Sequence, residues 1–157
     1  MKRISILILS LSLLLAACTA APQATATPAA TPGGEGTTIA PTGSLGGTRW
    51  VLAALTRDGA EAPPVSGSTI TLNFETDGQV GGNAGCNSYG GSYETRGNSI
   101  SFHNLVSTLM ACADQAVTDQ ESAYLNALNQ AATYELSNDS LVIAGAGGEQ
   151  LKFTPAP

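Results

Sequence analysis

The sequence predicts an α+β domain, mostly antiparallel β, in which a curved or barrel-like sheet carries one covering helix. Three observations predict it. Only 11% of residues are charged and 18 are Gly, a balance that suits turn-rich β structure better than a helical bundle. Apolar residues recur with a period of two in several short segments after residue 45. A single segment carries the helical period instead. The one Trp, four Tyr and three Phe all lie in residues 45–157, so the core is drawn from that stretch, an ordinary single-domain length.

Trp50, Leu52 and Ala54 share one parity and open the first strand. Ile70, Leu72 and Phe74 alternate with Thr69, Thr71, Asn73 and Glu75, as a half-buried strand requires. Asp77-Gly78 supplies a turn before Val80, and Arg96-Gly97-Asn98 separates Tyr93 from Ile100 and Phe102, giving two hairpins. Thr118-Asp119-Gln120-Glu121 reads as a capping box before Tyr124, Leu125, Leu128 and Ala131, and predicts one helix of about three turns. Tyr134 with Leu136, Leu141 with Ile143, and Leu151 with Phe153 restore the period of two. Asn138-Asp139 and Gly147-Gly148 lie between them, predicting a three-stranded closing meander.

Lys2 and Arg3 precede Ile4 to Leu15, a run of Ile and Leu interrupted only by Ser5, Ser10 and Ser12, and then the small pair Ala16-Ala17. Residues 1–17 therefore read as a secretory signal. At ~1.5 Å per residue the apolar run spans about 18 Å, short of the ~30 Å hydrocarbon core, which disfavours a permanent transmembrane helix. Leu15-Ala16-Ala17-Cys18 resembles the lipobox of bacterial lipoproteins, which implies acylation of Cys18 and cleavage before it. Two or more acyl chains, at ~0.8 kcal/mol per buried methylene, anchor a protein stably. Thr19 follows, with no Asp to suggest inner-membrane retention. The expected address is thus the outer membrane in a two-membrane cell, and otherwise the outer face of the plasma membrane. Residues 19–44 hold seven Thr, seven Ala, four Pro and four Gly, too little apolar matter for a core. The lipidated Cys18 and this stretch, 18–44, read as a tether with a reach of about 28 Å.

Net charge is −6; without Lys2 and Arg3, four basic residues face twelve acidic ones, or −8, which opposes binding to a nucleic-acid backbone. The Gly-rich stretch around residue 82 has no Lys, so no phosphate loop is present and no cofactor is expected. His103 is the only His, which excludes zinc sites built on paired histidines, and an exposed or locally bonded ring at a strand end is the reading for it. Asp58, Glu61, Asp77, Asp114, Asp119 and Asp139 are scattered near turns, read as a solvated surface, and form no calcium-loop pattern, so no metal is expected. Once Cys18 carries lipid, Cys86 and Cys112 remain, an even pair that in an exported domain reads first as a disulfide. A redox-active pair and two free buried thiols are the alternatives. Gly81, Gly82 and Gly85 permit positive φ and close backbone approach, and Asn87 can bond its own turn.

Gly82-Asn83-Ala84-Gly85-Cys86-Asn87-Ser88-Tyr89-Gly90-Gly91-Ser92-Tyr93 resembles the Gly-Cys-Asn signature of the META domain, a family that includes HslJ-like heat-shock lipoproteins. Thr108-Leu109-Met110-Ala111-Cys112 is similar to its second motif, and Glu121, Tyr124, Leu125 and Leu128 to its helix. With Trp50 and Phe153 the resemblance spans almost all of residues 45–157. It departs at Leu109, where the family pattern implies a basic residue. The resemblance implies a small envelope-attached domain linked to stress tolerance, with the two motif cysteines close in space.

The expected function is therefore non-enzymatic: a lipid-anchored envelope domain that binds a protein or a small apolar molecule. Gly85, Asn87, Tyr89, Tyr93, Thr108, Leu109 and Met110 are the candidate binding positions, and Tyr89, Tyr93 and Tyr124 are the aromatic positions that motivate the binding reading. The alternatives are an inhibitor of hydrolases, which suits a rigid bridged domain with exposed loops, and an enzyme using His103 or the Cys86/Cys112 pair.

Overall fold

The computed structural model describes residues 43–157; the expected signal, the lipidation at Cys18 and the tether up to residue 42 lie outside the described residues. The strands are β1 Arg49–Arg57, β2 Ala60–Ala62, β3 Thr71–Phe74, β4 Gln79–Asn83, β5 Ser88–Arg96 and β6 Ser99–Ser107. After the helix α1 Gln115–Asn129 come β7 Ala131–Leu136, β8 Leu141–Gly145 and β9 Gln150–Pro155. All pairings are antiparallel, in the order β2-β1-β3-β4-β5-β6-β7-β8-β9, and β1 also pairs with β9. That last pairing closes an eight-strand barrel, with β2 a short flap on β1. The fold is the expected barrel-like sheet with one helix. The weakest seam is between β6 and β7, which pair at Ser99↔Thr133 only.

Period-two alternation produces the core as expected. Trp50, Leu52, Ile70, Leu72, Phe74, Ile100, Phe102, Leu141, Ile143, Leu151 and Phe153 are all buried, each contributing about 1.5–3 kcal/mol by leaving water. The turns at Gly78 and Gly97 have φ of 84° and 61°, which glycine adopts at no steric cost. Where β4 crosses β3, a Cβ on Gly82 would stand 2.1 Å from the Thr71 carbonyl oxygen. Backbone rather than a flexible side chain blocks it, so Gly82→Ala is expected to lower the unfolding free energy by about 3 kcal/mol, read as a shift of the urea midpoint.

Three local expectations are corrected. The helix starts earlier than the capping box placed it: Asp114 is the N-cap, accepting from Ala116 N at 2.8 Å. Thr118 lies inside the helix and its Oγ1 donates to the Asp114 carbonyl at 3.3 Å. Ala131 belongs to β7, not to the helix, which has 15 residues. Finally, His103 sits within β6 rather than at a strand end, exposed, with Nε2 3.1 Å from Ser101 Oγ.

Beneath the helix, Tyr89 Oη donates to the Thr71 carbonyl at 3.0 Å and so accepts from Tyr124 Oη at 2.6 Å. The two rings meet edge to face at 5.6 Å. Burial pushes both phenols up, Tyr124 well above the ordinary tyrosine range. Because the folded-state values exceed the unfolded ones, this contribution is whole below about pH 10 and is lost as pH rises beyond it. Stability is expected to fall by up to ~1.4 kcal/mol per pH unit for each phenol, and a Tyr89→Phe, Tyr124→Phe variant should show a shallower alkaline limb in denaturant titrations. Among the described residues no helix is long and apolar enough to cross a membrane.

Candidate functional site

The turn after β4 is built for close approach. Asn83 N donates to Thr71 Oγ1 at 3.0 Å, Gly85 N donates to Asn83 Oδ1 at 2.7 Å, and Gly85 takes φ of 115° beside Val117 and Gln120 of α1. This delivers Cys86 and Asn87 to the flank of the helix. Asn87 is buried at 3% exposure, and its side chain does not bond its own turn as expected. Its Oδ1 accepts from Met110 N and Thr108 Oγ1, both at 2.8 Å. Its Nδ2 donates to Glu121 Oε1 at 2.8 Å and to the Met110 carbonyl at 3.3 Å. Both donors and both lone pairs of the amide are therefore used.

Glu121, on the buried face of α1 at 9% exposure, accepts from Asn87 N at 2.7 Å and from Cys86 N at 3.4 Å through Oε2. Cys86 and Cys112 are joined as a disulfide with Cα atoms 6.0 Å apart. Of the open alternatives for this pair, the structure carries the bridge. The two sulfurs and the Glu121 carboxylate lie within 4.8 Å of one another, but the sulfurs are spent on each other.

The segment between β6 and α1 is thus pinned at Thr108, Met110 and Cys112. Along this segment the apolar side chains turn outward, Leu109 at 94% exposure and Met110 at 61%, and Val106 just before it in β6 is 71% exposed. A groove of about 530 Å³ runs between this rim and the Thr118, Ser122 and Leu125 side of α1, with Asn87 and Glu121 on its wall. Rigid backbone presenting apolar side chains can hold a partner without first ordering itself.

Of the expected site residues, Gly85, Asn87, Thr108, Leu109, Met110, Cys86 and Cys112 converge here. Tyr89 does not: it is buried with Tyr124 in the core. Tyr93 lies away from the site on β5, its hydroxyl donating to the Glu75 carbonyl at 3.2 Å and its ring packed 4.7 Å from Phe74. Tyr124 is fully buried, so its ring is not available to a partner at the surface. Sequence reasoning missed Glu121 as a site residue, together with Val106 and Ser122. The signal for Glu121 was present: it shares the i, i+3, i+4, i+7 face with Tyr124, Leu125 and Leu128, an acid on an apolar stripe.

The META domain family model matches residues 43–157. The chain belongs to the META domain family. A protein from Burkholderia xenovorans, solved by NMR, is 28% identical, with 86% of this chain and 98% of that one covered and a TM-score of 0.63. Another NMR structure, 20% identical over 68% of this chain and 87% of that one, has a TM-score of 0.54. A DUF4847 family protein from Bacteroides vulgatus is 14% identical over 70% and 93%, with a TM-score of 0.52. Those two share the fold of this META domain. No curated protein matches the chain.

Proposed function

We propose that this META domain is a non-enzymatic, HslJ-like lipoprotein module, anchored to the envelope through lipid on Cys18, that binds an envelope protein as part of stress tolerance. The observation that carries the reading is Leu109, 94% exposed at the centre of a segment whose neighbours are held by Asn87 and the disulfide. Soluble surfaces seldom keep three large apolar side chains in water on a fixed backbone unless something covers them. Support for a non-enzymatic role is that His103 has only Ser101 as a hydrogen-bond partner among the described residues. Inhibition of a hydrolase would use the same rim.

A photo-crosslinking residue at Leu109 in living cells tests this, with one at exposed Asp139 as control. One identified protein is expected from position 109 alone, and its binding to the purified chain should be lost in Met110→Asp. Equal capture at both positions, or none at 109, refutes the reading. The small-ligand reading is favoured by a cavity of about 360 Å³ between the β1–β2 flap and α1, walled by Leu52, Leu55, Pro63, Pro64 and Val65. Displacement of an apolar fluorescent probe, sensitive to Leu55→Trp, would register it.

A further inference from the structure

We infer that the groove behind the Leu109 rim receives a lysine side chain of the bound protein. This rests on the reading above and names the partner's chemistry.

The α1 side of the groove offers hydroxyl acceptors whose own hydrogens are already spent. Ser122 Oγ spends its hydrogen on the Thr118 carbonyl at 3.0 Å, and Thr118 Oγ1 spends its own on the Asp114 carbonyl at 3.3 Å. Their lone pairs are left for a donor from outside. Glu121 stands beside them at 9% exposure and pairs with no cation among the described residues. The ion pairs among the described residues are Arg57–Asp58, Arg96–Glu94 and Lys152–Glu61, all elsewhere. The opposite wall is aliphatic, formed by Leu109 and Met110. A long methylene stem ending in a cation matches both walls.

Lysine fits better than arginine because Oε2 of Glu121 already takes two backbone N–H groups, whereas Oε1 takes only Asn87 Nδ2. One free lone pair suits the point charge of an ammonium; the guanidinium fork needs an acceptor on each oxygen. A net charge of −8 beyond residue 18, from four basic and twelve acidic side chains, draws basic surfaces toward the domain.

The test titrates the full chain, in detergent micelles, with N-acetyl-lysine N-methylamide, following the Asn87 side-chain amide and Ser122 by NMR. Saturable shifts are expected. The norleucine counterpart, which lacks the ammonium, should bind about tenfold more weakly or worse. Leu109→Lys, at an exposed position that does not burden folding, should weaken the blocked lysine by a similar factor by offering an ammonium from within. Norleucine binding equal to lysine, or Leu109→Lys leaving the affinity unchanged, overturns the inference. So does n-butylamine binding as tightly as the blocked lysine, since the pocket would then be one for small amines. A crosslinked partner without lysine binding sinks this inference alone, and lysine binding without a partner sinks the protein-binding reading alone.

Discussion

Asn87→Ala is expected to lower the unfolding free energy by about 4 kcal/mol, the largest effect of any substitution to alanine at the site. The side chain is 3% exposed and makes four hydrogen bonds to Thr108, Met110 and Glu121. Truncation leaves the Met110 N–H and a carboxylate oxygen facing a void, at ~1–3 kcal/mol for each buried group without a partner. Urea denaturation gives the stability, and the blocked-lysine titration should show lost affinity, because the rim loses its central pin. Asn87→Asp separates hydrogen bonding from volume. It places a second carboxylate where Nδ2 donated to Glu121 at 2.8 Å, so its instability should be greatest at neutral pH and ease on acidification.

Replacing both bridged cysteines by serine should remove about 3.5 kcal/mol, from the chain entropy regained when a loop with a sequence separation of 26 is opened in the unfolded state. The parent chain denatured under reductant should match the double variant. Lysine affinity should change far less than in Asn87→Ala, because Asn87 still holds Met110 and Thr108. A large loss of affinity with little loss of stability would mean that the bridge, not the amide, sets the rim.

What the sequence revealed follows the range of the interactions involved. Alternation at Trp50–Leu52, Ile70–Phe74, Leu141–Ile143 and Leu151–Phe153 is local, and each of these segments is buried on the expected parity. The flap β2, Ala-Glu-Ala, has no apolar alternation and exists only because Asp58-Gly59 folds it onto β1, so no periodicity announced it. The capping box misled because Glu121 turns away from the helix start to meet Asn87, 34 residues earlier in the chain. Asn87 misled for the same reason. A short amide next to glycines reads as a turn former, but its partners at Met110 and Glu121 lie 23 and 34 residues away. Exposure at Leu109 was equally hidden, since an isolated Leu in a motif carries no sign of which way it faces.

The bridge from Cys86 to Cys112 also encircles the β5–β6 hairpin, whose exposed tip carries Arg96 before Gly97. A protease that cuts after Arg96 therefore produces a nick and not a release: the cut opens the ring, but the disulfide still joins the part that carries Cys86 to the part that carries Cys112. Such a cut chain would migrate as one species until thiol is added and then part into two fragments, so a clip at this exposed turn detaches neither half while the bridge is oxidised.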